Sequence, residues 1–110
     1  FSTRSPYPDA RRYFDAGVKV ALATDCNPGS SYISSMSFVM AIAVRDMNFT
    51  PEQALIAATL GGAQALRRTD IGHLGVGARA DIVILNAPSF EYLTYRAGSN
   101  LIKRVLVQGL

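Results

Sequence analysis

Val18-Lys19-Val20-Ala21-Leu22-Ala23-Thr24-Asp25-Cys26-Asn27-Pro28-Gly29-Ser30-Ser31 is the stretch on which the reading of this chain turns. Val18 to Thr24 is almost continuously apolar, the pattern of a strand covered on both faces. It stops at an acid, and a polar loop containing glycine follows and opens into a helix. Asp25 therefore stands at the carboxyl end of a predicted strand, where α/β barrels keep their catalytic residues. The loop brings backbone N–H groups close to a helix start, where an anionic group is readily held. From chemistry alone a carboxylate at this place has three uses. It binds a metal, acts as a base, or joins Asn27 in an Asx-type turn by bonding nearby backbone N–H groups.

The flanking sequence supports an α/β reading. Pro8 to Gly17 predicts a short helix, with proline in its first turn, Ala10, Tyr13 and Phe14 on one face, and Gly17 as its stop. Helix, glycine, strand, loop and helix follow one another as in a parallel α/β sheet. Ser34-Ser35 caps a helix running to about Asn48 whose Met36, Val39, Met40, Ala43 and Met47 fall at helical spacing. That methionine stripe reads as core, since methionine fills irregular gaps. Thr50-Pro51-Glu52-Gln53 is a capping-box start for a helix to about Leu66. Gly61-Gly62 lies inside it at a helix cost of roughly 1 kcal/mol per glycine, which points to close packing against another backbone. From Ile71 the character changes. Ala80 to Leu85 and Leu101 to Gln108 predict strands, and the segment with Tyr92, Tyr95 and Gly98 is a loop or short helix. The chain divides near residue 68.

Composition narrows the class. The 110 residues are 49% apolar and only 17% charged, which looks more like a piece of a larger, well-buried protein than a free-standing domain. The unpunctuated ends, Phe1 and Gly109-Leu110, carry the same expectation. The net charge of +3 comes from dispersed pairs, Arg11-Arg12, Arg67-Arg68 and Lys103-Arg104. Nothing clusters into the basic, aromatic-interleaved face of a nucleic-acid binder, and no apolar run is long enough to span a membrane. One cysteine, Cys26, excludes an internal disulfide, and with no signal-peptide pattern a cytoplasmic location is expected.

Ala21-Leu-Ala-Thr-Asp25-Cys-Asn27-Pro-Gly29-Ser30-Ser31 closely resembles the last barrel-strand motif of the imidazolonepropionase family, within the amidohydrolase superfamily. Thr50-Pro51-Glu52-Gln53-Ala54-Leu55 is similar to that family's next helix, and Tyr92-Leu-Thr-Tyr95-Arg-Ala-Gly98-Ser-Asn100-Leu101 is similar to a later family segment. Ile71-Gly72-His73-Leu74 through Gly77-Ala-Arg-Ala80-Asp81 resembles the strand entry common to the superfamily. The resemblance covers nearly the whole chain. The Ala80-Asp81 motif is widely shared, whereas the Thr-Asp-x-Asn-Pro-Gly-Ser-Ser run is much narrower.

The resemblance implies an α/β fold. Residues 1–68 would be the C-terminal part of a (β/α)8 TIM barrel, contributing its last strand and flanking helices, and residues 69–110 part of a small composite β-sandwich. It implies hydrolysis of the cyclic amide 4-imidazolone-5-propanoate to N-formimidoyl-L-glutamate in histidine degradation. It further implies one divalent metal ion, zinc or iron, with Asp25 as catalytic residue and metal ligand and Asn27, Gly29 and Ser30 as substrate-binding residues. The family's ligating histidines come from earlier strands, and this chain has a single histidine, His73. The isolated chain is therefore expected to be inactive, and His73 and Asp81 are expected to be turn and strand residues. Cys26 stands where an aromatic is common and Arg67-Arg68 where Gly-Leu is common, departures that concern packing.

A lone barrel strand lacks neighbours, so self-association of the isolated chain is expected, and a homo-oligomer is expected of the longer protein. Two other readings are open. One is another amidohydrolase-superfamily cyclic amidase or deaminase, which would share the strand-end acid and Ala80-Asp81. The other is a non-catalytic α/β interaction module in which Asp25 is a turn acid.

Overall fold

Two side-chain caps set where the longest helices begin. Ser35 accepts a hydrogen bond from the Phe38 N–H (3.3 Å) and starts α2, Met36–Asp46. Thr50 accepts from the Gln53 N–H (3.2 Å) while Gln53 accepts from the Thr50 N–H (2.9 Å), and this reciprocal box with Pro51 at the first position starts α3, Pro51–Ala58. Both starts are where the sequence places them. The computed structural model describes residues 1–110 and is a mixed α/β chain. Its other elements are α1, Arg11–Asp15, α4, Leu60–Ala65, β1, Ile82–Leu85, α5, Tyr92–Tyr95, and β2, Ile102–Leu106. No helix is long and apolar enough to cross a membrane.

The predicted helix from Thr50 to Leu66 is broken in two. Thr59 leaves helical geometry at φ −119°, ψ −87°, and its hydroxyl donates back to the Leu55 carbonyl at 2.8 Å. Such a bond to the preceding turn bends a helix, and α4 sets off in a new direction. The redirection brings Gly61 against the backbone of Val20, where an added Cβ would overlap the Val20 carbonyl oxygen. The close approach expected of Gly61-Gly62 is thus real at Gly61 only, because Gly62 faces open space. Gly72, at φ +80°, adopts a conformation only glycine takes readily and lies with its Cα beside the Thr59 carbonyl and Ala63.

Val18 to Thr24 is extended but forms no paired strand in this chain, in line with the expectation that it lacks neighbours here. In that stretch the Val18 N–H bonds the Tyr13 carbonyl in the middle of α1, and the Leu22 N–H bonds the Ala57 carbonyl at 3.0 Å. No carbonyl from Val18 to Thr24 accepts a backbone bond. The physical reason is simple: a strand is defined by its ladder, and this chain supplies no second strand beside it. Peptide groups alternate in direction along an extended chain, so Val20, Leu22 and Thr24 point one edge towards α3 and α4. Lys19, Ala21 and Ala23 leave the other edge open.

The core is small and built from α1, α2 and α3. Ala10, Met40, Ala43, Phe49, Ala54 and Ala57 are buried together, with Phe14, Leu22 and Leu93 packed against them. Phe14 and Phe49 meet edge to face, with centroids 5.1 Å apart. The methionine stripe is core at Met40, with Met36 and Met47 half-buried. Only 9 of 110 residues are buried, so much of the apolar sequence lies at the surface.

β1 and β2 pair antiparallel, Ile82 with Leu106, Val83 with Val105 and Ile84 with Arg104, with a bulge before Leu85 pairs with Ile102. Asp81 accepts from the Gln108 N–H (2.9 Å) and pairs with Arg79 (2.8 Å), so it fastens the open end of this hairpin. That is the structural role expected of it. Val83 and Val105 are both more than half exposed. A two-stranded ribbon with an apolar face in water is marginal alone.

Asp9 ties the chain's first helix to the second. Its Oδ1 accepts from the Asn48 side-chain amide (3.1 Å) and from the Arg11 N–H (3.1 Å). The Asn48 hydrogen bond, followed by that of the Arg11 backbone, holds the Asp9 carboxyl below its ordinary value of 3.8. A group with a depressed folded-state pKa stabilises the fold at pH above its unfolded value, and that contribution is lost as pH falls through the lowered value. Asn48→Ala is expected to lower the melting temperature at pH 6, with the difference from the parent shrinking as pH falls below about 3.8. Thermal melts from pH 6 to pH 2 check this, and a difference that stays constant across the range would contradict it.

Candidate functional site

The site grows out of one asparagine. The Asn27 Oδ1 accepts from the N–H groups of Gly29 (2.9 Å) and Ser30 (2.8 Å), and its Nδ2 donates to the Asp25 carbonyl (2.7 Å) and to the Ser30 hydroxyl (3.0 Å). The Asn27 N–H bonds the Ser31 carbonyl at 2.8 Å, closing a short bridge. Pro28 supplies no N–H and a fixed φ, which suits a turn of this tightness. The Asx-type alternative therefore applies to Asn27, not to Asp25. Asp25 sits at φ +46°, in the left-handed region that aspartate tolerates better than most residues.

The Asp25 carboxylate is exposed and makes no hydrogen bond or ion pair with any group of the chain. It borders a cavity of about 550 Å³ together with Thr24, Ser30, Ser31, Phe1 and Tyr7. The Ser2 N–H bonds the Ser30 carbonyl at 2.9 Å and so joins the N-terminal loop to this wall. The fold thus brings Asp25 and Ser30 to one cavity, while Asn27 and Gly29 lie behind it as the frame of the loop. The contribution of Phe1, Ser2 and Tyr7 is not legible in the sequence, where residues 1–7 have no period.

One expectation is corrected. The backbone N–H groups of Gly29 and Ser30 are not free to receive an anionic substrate, because Asn27 holds both. The loop satisfies its own donors first, and α2 begins only at Met36, beyond it. Cys26 is exposed, and its N–H bonds the Thr24 hydroxyl at 3.4 Å.

A larger cavity, of about 840 Å³, lies elsewhere, between α2, α3 and the hairpin, and is lined mainly by apolar side chains such as Met40, Leu55 and Leu93. His73 lies on its rim and is occupied locally. Its Nδ1 accepts from the Gly75 N–H (3.1 Å), and its Nε2 is 2.9 Å from the Thr69 carbonyl. That is the turn role expected of it.

Catalytic metal sites use three protein ligands. No three His, Cys, Asp or Glu side chains converge in this chain, so its residues do not by themselves fit a metal ion. What the arrangement offers is one unpaired carboxylate, held at a fixed angle on the rim of a polar-edged cavity.

Residues 2–110 match the Amidohydrolase family. The chain is 66% identical to an imidazolonepropionase of Salinispora arenicola, over 100% of this chain and 28% of that protein. It is 60% identical to one of Mycolicibacterium smegmatis, over 99% of this chain and 28% of the relative, and 56% identical to one of Streptomyces coelicolor, again over 100% and 28%. It thus spans a little over a quarter of the length of these relatives. The match runs through the free acid, the asparagine-framed loop and the Asp81-fastened hairpin, and it places this chain in the amidohydrolase family.

Proposed function

We propose that this chain is the part of an imidazolonepropionase that presents the strand-end acid and the loop beside it. The observation that carries the reading is the unpaired Asp25 carboxylate within a chain 56–66% identical, over its whole length, to proteins of that name. On this reading residues 1–68 belong to the barrel and residues 69–110 to the small β-sandwich. The reaction is hydrolysis of 4-imidazolone-5-propanoate to N-formimidoyl-L-glutamate, in the cytoplasm. Water adds its oxygen to the ring carbonyl carbon, and the carbon–nitrogen bond breaks. Asp25 accepts the proton that water gives up and returns it to the departing nitrogen, a shuttle that suits a carboxylate with no other partner. Ser30 lines the cavity that takes the substrate, and Asn27 and Gly29 complete the binding loop behind that wall. The family's chemistry is metal-dependent. The divalent ion, zinc or iron, takes its further ligands from outside these residues.

The test is product formation. The longer protein carrying this chain, given 4-imidazolone-5-propanoate, is expected to yield N-formimidoyl-L-glutamate by mass spectrometry, while the 110 residues alone yield none. An intact ring after incubation with the longer protein would overturn the reading.

The isolated chain self-associates on the same reading. The open edge at Lys19, Ala21 and Ala23 is an unpaired template, and two copies can pair on it antiparallel about a two-fold axis. Sedimentation velocity is expected to show the mean mass rising with concentration. A monomer throughout would contradict this.

A further inference from the structure

Tyr7 is the one aromatic residue of the chain set between two prolines, Pro6 and Pro8. Proline fixes its own φ and holds the residue before it extended, so the backbone of Tyr7 is confined before any ligand arrives. The segment is also tied down on both sides. The Ser2 N–H donates to the Ser30 carbonyl (2.9 Å), and the Phe1 ring meets Phe38 edge to face with centroids 5.7 Å apart. Beyond Tyr7, Asp9 is held by Asn48 (3.1 Å) and the Ala10 N–H donates to the Met47 carbonyl (3.0 Å). Held in this way, Tyr7 lines the cavity that Asp25 and Ser30 border, with 38% of it exposed. Other donors around that cavity are committed. The Thr3 hydroxyl lies 3.1 Å from that of Ser5, and Asn27 takes the N–H groups of Gly29 and Ser30. The Tyr7 hydroxyl bonds no group of the chain.

We propose that Tyr7 is a specificity-determining residue whose hydroxyl donates to the propanoate carboxylate of the substrate. This deepens the proposed function and rests on its choice of substrate. With the substrate ring presented to Asp25, like charge keeps the anionic tail away from that carboxylate. The tail then needs a donor on another wall. This chain lines the cavity with no lysine or arginine, so what it can offer the tail is a hydroxyl. A phenol O–H donating to a carboxylate oxygen is charge-assisted and stronger than a bond between neutral groups. Because prolines already confine Tyr7, little freedom is lost when the bond forms.

The experiment uses the longer protein, with 4-imidazolone-5-propanoate as substrate and its methyl ester, whose tail is neutral, as a competing ligand. Tyr7→Phe keeps the ring and removes the hydroxyl alone. It is expected to raise KM for the acid by about tenfold or more, the loss of one hydrogen bond to a charged group, with kcat within about threefold of the parent. Affinity for the ester is expected to stay within about threefold of the parent, so the preference for the acid over the ester shrinks. An unchanged KM for the acid in Tyr7→Phe would overturn the inference. So would an equal loss for acid and ester, which would mean that Tyr7 only shapes the cavity, and so would a loss confined to kcat. A parent protein that leaves the ring of the acid intact would instead sink the proposed function, a result distinguishable because it does not involve Tyr7.

Discussion

Asp25→Ala in the longer protein is expected to reduce turnover of 4-imidazolone-5-propanoate by about 10²- to 10⁴-fold, the range of a lost general acid–base group. The expectation comes from what Asp25 does not do. Its carboxylate makes no hydrogen bond or ion pair, so removing it leaves no donor unsatisfied and takes no internal contact from the fold. A structural explanation for lost turnover is therefore weak in advance. Asp25→Asn sharpens the point. Asparagine tolerates the left-handed backbone at least as well as aspartate, so this variant retains shape and size while losing the charge. Asp25→Asn is expected to melt close to the parent and Asp25→Ala somewhat lower, because alanine tolerates the φ of +46° less well, while both fail in turnover to a similar degree. If Asp25→Asn retained parental kcat, the carboxylate would have no chemical part.

The second large effect concerns packing. Gly61→Ala is expected to destabilise the protein and Gly62→Ala to stabilise it, though the two glycines are neighbours in one short helix. A Cβ at position 61 would meet the Val20 carbonyl oxygen, backbone that cannot rotate out of the way. Overpacking of this kind costs about 1–3 kcal/mol, more than the ~1 kcal/mol gained by replacing glycine in a helix. At position 62 nothing lies within reach, so only the gain of about 0.5–1 kcal/mol remains. Each kcal/mol corresponds to about 4–8 °C in the melting temperature of a chain this size. The two variants should thus move in opposite directions in a thermal melt. Gly61→Ala melting at or above the parent would mean that the α4 approach to Val20 is not a stabilising contact.

Much of the local structure was legible because it is decided by neighbours in sequence. Ser35 and Thr50 cap α2 and α3 through bonds spanning three residues, and the Asn-Pro-Gly run encodes its own turn. Asp81 and His73 hold turn and strand positions, as their settings indicate. The break at Thr59 was less visible. A threonine bonded to the carbonyl four residues back bends a helix only when packing favours the new direction, and here Val20 and Gly61 supply it. The segment Val18 to Thr24 shows the same dependence on distant partners. Its composition reports the covering it suits, but hydrogen bonds need a neighbour, and no second strand of this chain lies beside it.

For the site, residue types singled out one loop but not its internal division of labour. Asp25, Asn27, Gly29 and Ser30 were all singled out, but the side-chain amide of Asn27 and the N–H groups of Gly29 and Ser30 turn out to serve one another. The sequence by itself determined the helix starts, the glycine–asparagine turn chemistry and the family, since each depends on side chains within a few residues or on the order of residues alone. Only the tertiary structure decided that Asp25 is left unpaired, that Gly61 and not Gly62 touches Val20, and that an extended apolar segment goes without a ladder. Those outcomes depend on which groups are already satisfied by distant partners, and satisfaction is a property of positions in space.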